Sequence, residues 1–165
     1  MNEQQEVQSQ LRNALRRLAK AVVVVSCRHE ERRYAMSATA VSEVSIDPPS
    51  MLVCINRTAS IHAPLSAGVD FCLNILHGSH EEISALCSGK AKGEERFAFG
   101  DWRTSEEGIP YLAEAQANIM CQSGVSLTTK SHSIFIGKVV RALQSGDVDP
   151  LVYVDGRYAT VRAAS

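Results

Sequence analysis

A strong charge of either sign is missing from this chain. Its 165 residues carry 17 lysines and arginines against 18 aspartates and glutamates, interleaved along the sequence. That leaves no electrostatic case for a nucleic acid or an anionic membrane as partner. Long apolar runs are missing too: AVVVV at 21–25 is far too short to cross a bilayer. The polar opening MNEQQEVQSQ has no signal-peptide apolar region, so a cytoplasmic protein is expected. Paired cysteines are absent. Cys27, Cys54, Cys72, Cys87 and Cys121 are odd in number and widely spaced, and no C-x-x-C marks a zinc or redox site. Cys27, Cys54, Cys72 and Cys121 sit in or beside apolar β-like runs and read as small buried hydrophobes. His77 and His80 stand three apart in HGSH, but no cysteine or carboxylate pattern completes a metal site. A G-x-G-x-x-G after a strand, a nucleophile elbow and a triad pattern are also lacking.

What is present is apolar patterning in short pieces, enough for one domain over residues 1–165 with a proper core. Val7, Leu11, Ala14, Leu15, Leu18 and Ala19 recur at helical spacing, which predicts an amphipathic helix over 5–19. The β-branched AVVVVSC predicts a strand buried on both faces. RHEERR at 28–33 reads as a turn, and residues 34–46 as the returning strand. There Met36, Ala38, Ala40, Val44 and Ile46 alternate with Ser37, Thr39, Glu43 and Ser45. The first face is apolar enough to bury; the second is polar but mostly small. An exposed strand face is the plain reading, and a wall against which something flat lies is the other.

Asp47-Pro48-Pro49 breaks the ladder, because proline donates no hydrogen bond, and SMLVCIN begins a third strand. Ser60 is placed to cap a short helix that stops at Gly68. VDFCLNIL reads as a fourth strand, and GSHEEISALCSG as a helix opening at Ser79 and ending before Gly89. Residues 90–110 hold the only tryptophan, Trp102, lack a clear period and read as a long ordered loop. Strands follow in EAQANIMCQSGVSLTT, SHSIFIGKVVRAL, PLVYVDG and RYATV, with a turn at QSGDVDP. The whole predicts a mainly β fold, an antiparallel barrel with helices packed outside.

The order of these segments resembles the short-chain flavin reductases. The resemblance runs over residues 11–161 and rests on LRNALRRLAKAVVVVS, SATAVSEVSIDPPSMLVCIN, FCLNIL, EERFAFGDW, HSIFIGKV and PLVYVDGRY, in that order. It implies the flavin-reductase-like split barrel, an antiparallel Greek-key β fold with an N-terminal helix and short peripheral helices. It implies FMN or FAD as the flavin and NADH or NADPH as reductant, with NADH preferred. It further implies a homodimer with flavin sites at or near the subunit interface. The reduced flavin would leave for a separate flavin-dependent monooxygenase, of the kind that 4-hydroxyphenylacetate and phenol hydroxylase reductases serve.

For individual residues, the resemblance implies that Met36, Ser37, Ala38 and Thr39 lie along the flavin ring. Cys54, Ile55 and Asn56 would reach the same pocket, and Ser60, Ile61 and His62 would meet the phosphate at a helix start. Asn74 falls near the flavin; a polar residue in an apolar strand needs a hydrogen-bond partner in any case. Phe97 borders the flavin or anchors its loop. Lys90 and Lys92 read as solvated charge, with a phosphate contact as the alternative. His132 matches a histidine beside the nicotinamide, although relatives carry Gly-Asp-His where this chain has Lys130-Ser131-His132. Gly156, Arg157 and Tyr158 match a closing motif beside the cleft, where Arg157 would meet a phosphate or form a surface ion pair.

Hydride transfer between two bound nucleotides asks the protein mainly to stack and hold them. No catalytic nucleophile is therefore expected, and His132 is a nicotinamide-positioning candidate. Two other readings stand beside this one. One is a flavin-binding electron-transfer protein without turnover on the same barrel. The other is a pyridoxine-phosphate-type oxidase, against which SIDPPSMLVCIN followed by FCLNIL argues.

Overall fold

The structure, a computed structural model, describes residues 2–164. The chain runs α1 (Glu3–Leu15), β1 (Lys20–Ala21), β2 (Val23–His29), β3 (Arg32–Ala38), β4 (Val41–Ile46), β5 (Pro49–Asn56), α2 (His62–Ser66) and β6 (Phe71–Ile75). It continues through α3 (Glu81–Ala85), a π turn (Leu86–Lys90), a 3₁₀ turn (Gly93–Phe97), β7 (Trp102–Thr104) and β8 (Pro110–Leu112). β9 (Ala117–Thr128), β10 (His132–Gln144), β11 (Val152–Val154) and β12 (Arg157–Ala159) complete it.

Seven strands make one sheet in the order β3-β2-β6-β9-β10-β5-β4, every pair antiparallel. β3 and β4 are consecutive in the chain yet lie at opposite ends of that order. The two residues between them draw the sheet's edges together, and Cys54 N–H donates to Ala40 C=O at 2.9 Å across the seam. The strand expected over 34–46 is therefore two strands, bent at Thr39-Ala40 to close the barrel. The bend and a bulge near Val44 overturn the single alternating pattern. Ala40, Val44 and Ile46 are exposed, whereas Ala35, on the supposed polar face, is fully buried.

β2 explains the division of the core. Val23, Val25 and Cys27 point into the barrel with Val53, Ile55, Phe71, Leu73 and Phe135. Val24, together with Val22 just before the strand, points the other way and packs with Ala35, Leu76, Ile83, Phe97, Leu112 and Leu151 under the peripheral turns. A run of valines buried on both faces satisfies two cores at once, each fully buried valine contributing about 1.5–2 kcal/mol of transfer free energy. Burial also pushes the Cys27, Cys87 and Cys121 thiols up to about 12 and raises Cys72 as well, which keeps them neutral and unreactive.

Helix α1 forms as expected but ends at Leu15, and Asn2 opens it through a capping box with Gln5. Its apolar stripe buries nothing: Val7, Leu11 and Leu15 are all exposed. The end of the helix is tied down by Arg16, whose Nε donates to Asp155 at 2.8 Å and holds that carboxyl below its ordinary pKa. Ser60 does not cap α2, which begins at His62 with no side-chain cap. Gly68 does stop it, in the left-handed region at φ 85°. The third helix begins after His80 rather than Ser79, whose hydroxyl pairs with His77 instead. Residues 90–110 hold more structure than the predicted loop, namely the 3₁₀ turn and the β7–β8 hairpin.

Candidate functional site

β3 is an edge strand, so half of its backbone groups have no strand partner. Ala35 C=O is one of them, because Arg96 Nη1 donates to it at 2.6 Å. In an antiparallel ladder, alternate residues turn both N–H and C=O to the same side. Ser37 therefore shares that open edge, and Thr39 follows it at the bend. A cleft of about 280 Å³ lies against Ser37, Ala38 and Thr39, walled by Val22, Ser84, Ser88, Tyr153 and Tyr158. It continues past Ser37 and Ser88 into a space of about 270 Å³ beside Met36, Ala59, Ser60, Cys87, Gly89 and Arg96. Gly89 keeps this wall low where the chain turns at φ 113°, a conformation other residues adopt at a cost.

Buried Ser84 organises the wall. Its carbonyl accepts from Ser37 Oγ at 2.8 Å and from Ser88 Oγ at 2.7 Å, and its hydroxyl accepts from Tyr158 at 2.8 Å. These contacts fix α3 and β12 against β3. They also spend the hydroxyl protons of Ser37, Ser88 and Tyr158, so towards the cleft those oxygens act as acceptors. Donors come from the free edge of β3 and from Arg96. The Arg96 guanidinium is held by Ala91 C=O through Nε at 3.1 Å, by Ala35 C=O, and by Ser60 Oγ at 3.2 Å. Among the described residues it has no carboxylate within ion-pair distance. Carbonyl oxygens fix the fork in place but leave its charge uncompensated, a condition suited to an anion.

Of the residues expected at the site, the cleft brings together Met36, Ser37, Ala38, Thr39, Ser60 and Tyr158. Others go elsewhere. Ile55 and Ile61 are wholly buried in the barrel core and present no side chain to a ligand. Asn74 is also wholly buried and its amide is saturated: Nδ2 donates to Val24 C=O and Ser26 Oγ, and Oδ1 accepts from Leu112 N–H and Asn118 Nδ2. It staples β8 to the sheet and does not face the cleft. Phe97 lies in the second core, edge-on to Trp102 at 4.8 Å, with the Arg33 guanidinium 4.1 Å above its ring. It anchors its loop and does not line the cleft.

Cys54 and Asn56 do not line the cleft but adjoin it, Cys54 through its N–H on Ala40 C=O and Asn56 through its C=O, which accepts from Ala59 N–H at 3.0 Å. Asn56 Oδ1 accepts from Thr58 N–H and pairs in register with the exposed His132. His62 closes that end of the barrel, its Nε2 2.8 Å from buried Ser133 Oγ. Arg157 is exposed and pairs with Asp155 at 3.2 Å. Lys90 and Lys92 are exposed. Arg96 and Ser88 are the residues that sequence reasoning missed. Arg96 stands inside the charged GEER, where nothing separates a solvated arginine from a fixed one. Ser88 reads as an ordinary helix-end serine.

Residues 15–162 match the flavin reductase like domain. The chain is 36% identical over 155 residues to the reductase component of an FADH(2)-dependent resorcinol hydroxylase from Rhizobium sp. (strain MTP-10005), covering 93% of this chain and 87% of that protein. It is 39% identical over 148 residues to an FMN reductase (NADH), RutF, of Agrobacterium fabrum, covering 89% and 84%. Its fold superposes on the NADH:FAD oxidoreductase SgcE6 of Streptomyces globisporus, in complex with NAD and FAD fragments, with a TM-score of 0.86 at 26% identity, over 96% of this chain and 94% of that one. A barrel sealed at the β3–β4 bend, a low-walled cleft on its free edge, and these likenesses over nearly the whole length agree: the chain belongs to the flavin reductase like domain family.

Proposed function

We propose that residues 1–165 act as one domain, a cytoplasmic NADH-dependent flavin reductase that binds FMN or FAD in the cleft along β3 and passes reduced flavin to a separate monooxygenase. The observation that carries this reading is the cleft itself. It has a floor of small residues, a free strand edge offering backbone donors and acceptors, and a fixed, uncompensated arginine at one end. Those are the needs of a flat heterocycle with a phosphate tail. When bound, the flavin supplies the hydride-accepting chemistry. The chain's own residues do the rest. β3 carries the ring, Ser84 holds Ser37 and Tyr158 in fixed positions, and Arg96 with Ser60 holds the phosphate. His132 lies outside the cleft within one protomer, so we keep it as a nicotinamide-positioning candidate only in a homodimer.

Two features support that dimer. The outer face of the β4–β5–β10–β9 half of the sheet is apolar and open, with Cys54, Ile134 and the exposed Leu127 in one row. The stripe of α1 is likewise bare. Substituting Leu127→Arg on this exposed site should leave the fold intact and yield a monomer in sedimentation; an unchanged species would place the interface elsewhere.

The reading is tested by mixing the protein with NADH and excess FMN or FAD and following the NADH absorbance. Catalytic oxidation at substoichiometric protein is expected. Tight flavin binding without turnover would favour an electron-transfer protein instead, and no flavin binding would end both readings.

A further inference from the structure

Beyond Ser60 and Arg96 the cleft opens into a third compartment of about 330 Å³, lined by Arg32, Arg33, Tyr34, Ala35, Gly93 and Glu94 as well as those two residues. Ser60 and Arg96 line both spaces, so the second and third compartments adjoin at a cation. The third space holds three arginines against one glutamate. Glu94 is engaged by Arg33, whose guanidinium also lies over the Phe97 ring at 4.1 Å. Arg32, at the start of β3, is exposed and has no carboxylate within ion-pair distance among the described residues. The groove thus presents cations at two separated places, Arg96 at the junction and Arg32 with Arg33 at the far end.

A mononucleotide has one phosphate and uses one of these places. We infer that the compartment between Arg32, Arg33 and Arg96 receives the second phosphate of a flavin dinucleotide, so that this chain binds FAD more tightly than FMN. The inference rests on the flavin reading of the cleft. Two phosphates, one at the fixed Arg96 and one within reach of the exposed Arg32, unpaired among the described residues, gain charge-assisted hydrogen bonds that one phosphate cannot make. Because Arg32 and Arg33 are partly exposed, the preference is expected to shrink as salt is added.

The experiment is a fluorescence titration of the full chain with FMN and with FAD, in the absence of NADH, for the native protein and for Arg32→Gln and Arg32→Gln/Arg33→Gln. The native protein should bind FAD about tenfold more tightly than FMN, and the double variant should bring that ratio close to one. Arg32→Gln, at an exposed side chain with no ion pair among the described residues, should lower the ratio part-way and keeps the test valid if the double variant is unstable. Equal affinities in the native protein, or a ratio that both variants leave untouched, would overturn the inference while leaving flavin reduction intact. A raised KM for NADH with FMN as acceptor, at an unchanged FAD-to-FMN ratio, would also overturn it and give the compartment to the nicotinamide dinucleotide. Failure to bind either flavin would remove the cleft reading itself.

Discussion

Asn74 and Arg96 are both polar groups held in place by main-chain oxygens, and they differ in what remains unspent. Asn74 is wholly buried, and its amide reaches Val24 and Ser26 on β2, Leu112 on β8 and Asn118 on β9. Arg96 gives Nε and Nη1 to carbonyls and to Ser60, has no carboxylate partner, and lines two joined cavities. The first is a closed account of hydrogen bonds and belongs to the fold. The second is an open one and belongs to whatever binds. Saturation, rather than polarity, separates a structural polar residue from a site residue here.

Breaking the closed side should produce the largest effect. Asn74→Ala leaves the buried Leu112 amide without its acceptor and the Asn118 amide with only its bond to Leu112 C=O. A loss of about 3 kcal/mol in urea unfolding is expected, with flavin affinity of the folded protein within about twofold of native. Native stability with lost flavin binding would return Asn74 to the cleft.

The open side responds differently. Arg96→Gln should weaken FMN by about tenfold, the worth of a hydrogen bond to a charged group, while riboflavin, which lacks the phosphate, should change little. Equal losses for both would make Arg96 a scaffold residue like Asn74.

The smallest effect lies at His80, where burial lowers the ring's pKa below the ordinary 6.5 and Nδ1 accepts from His77 N–H at 3.2 Å. The unfolded chain then takes up the proton first. This contribution to stability is whole above about pH 6.5 and is lost as pH falls towards the depressed folded value. A Tm that drops modestly between pH 7.5 and 5.5, by less in His80→Gln, is the expected result; identical slopes would exclude it.

The strands and the barrel were legible because a two-residue period and a doubly buried valine run leave few alternatives. The single strand over 34–46 was not, since alternation carries no mark of the Thr39-Ala40 bend that closes the sheet. Part of the candidate cleft was legible as well: Met36 to Thr39, with Ser60 and Tyr158, line it. Asn74 and Phe97 lie outside the cleft, and one reason kept the sequence from showing it. Their types suit a ligand or a core equally, and only three-dimensional partners decide. Arg96 was invisible because its fixing carbonyls, Ala35 and Ala91, come from residues with no side-chain signal of their own.

The central claim is that the open edge of β3 carries the flavin. A crystal structure of the protein soaked with FMN tests it most directly. The ring should lie against Ser37, Ala38 and Thr39, with its phosphate within hydrogen-bond distance of Arg96 and Ser60. A ring found instead at the barrel end near Asn56 and His132 of the same protomer, with the β3 cleft filled only by water, would contradict it.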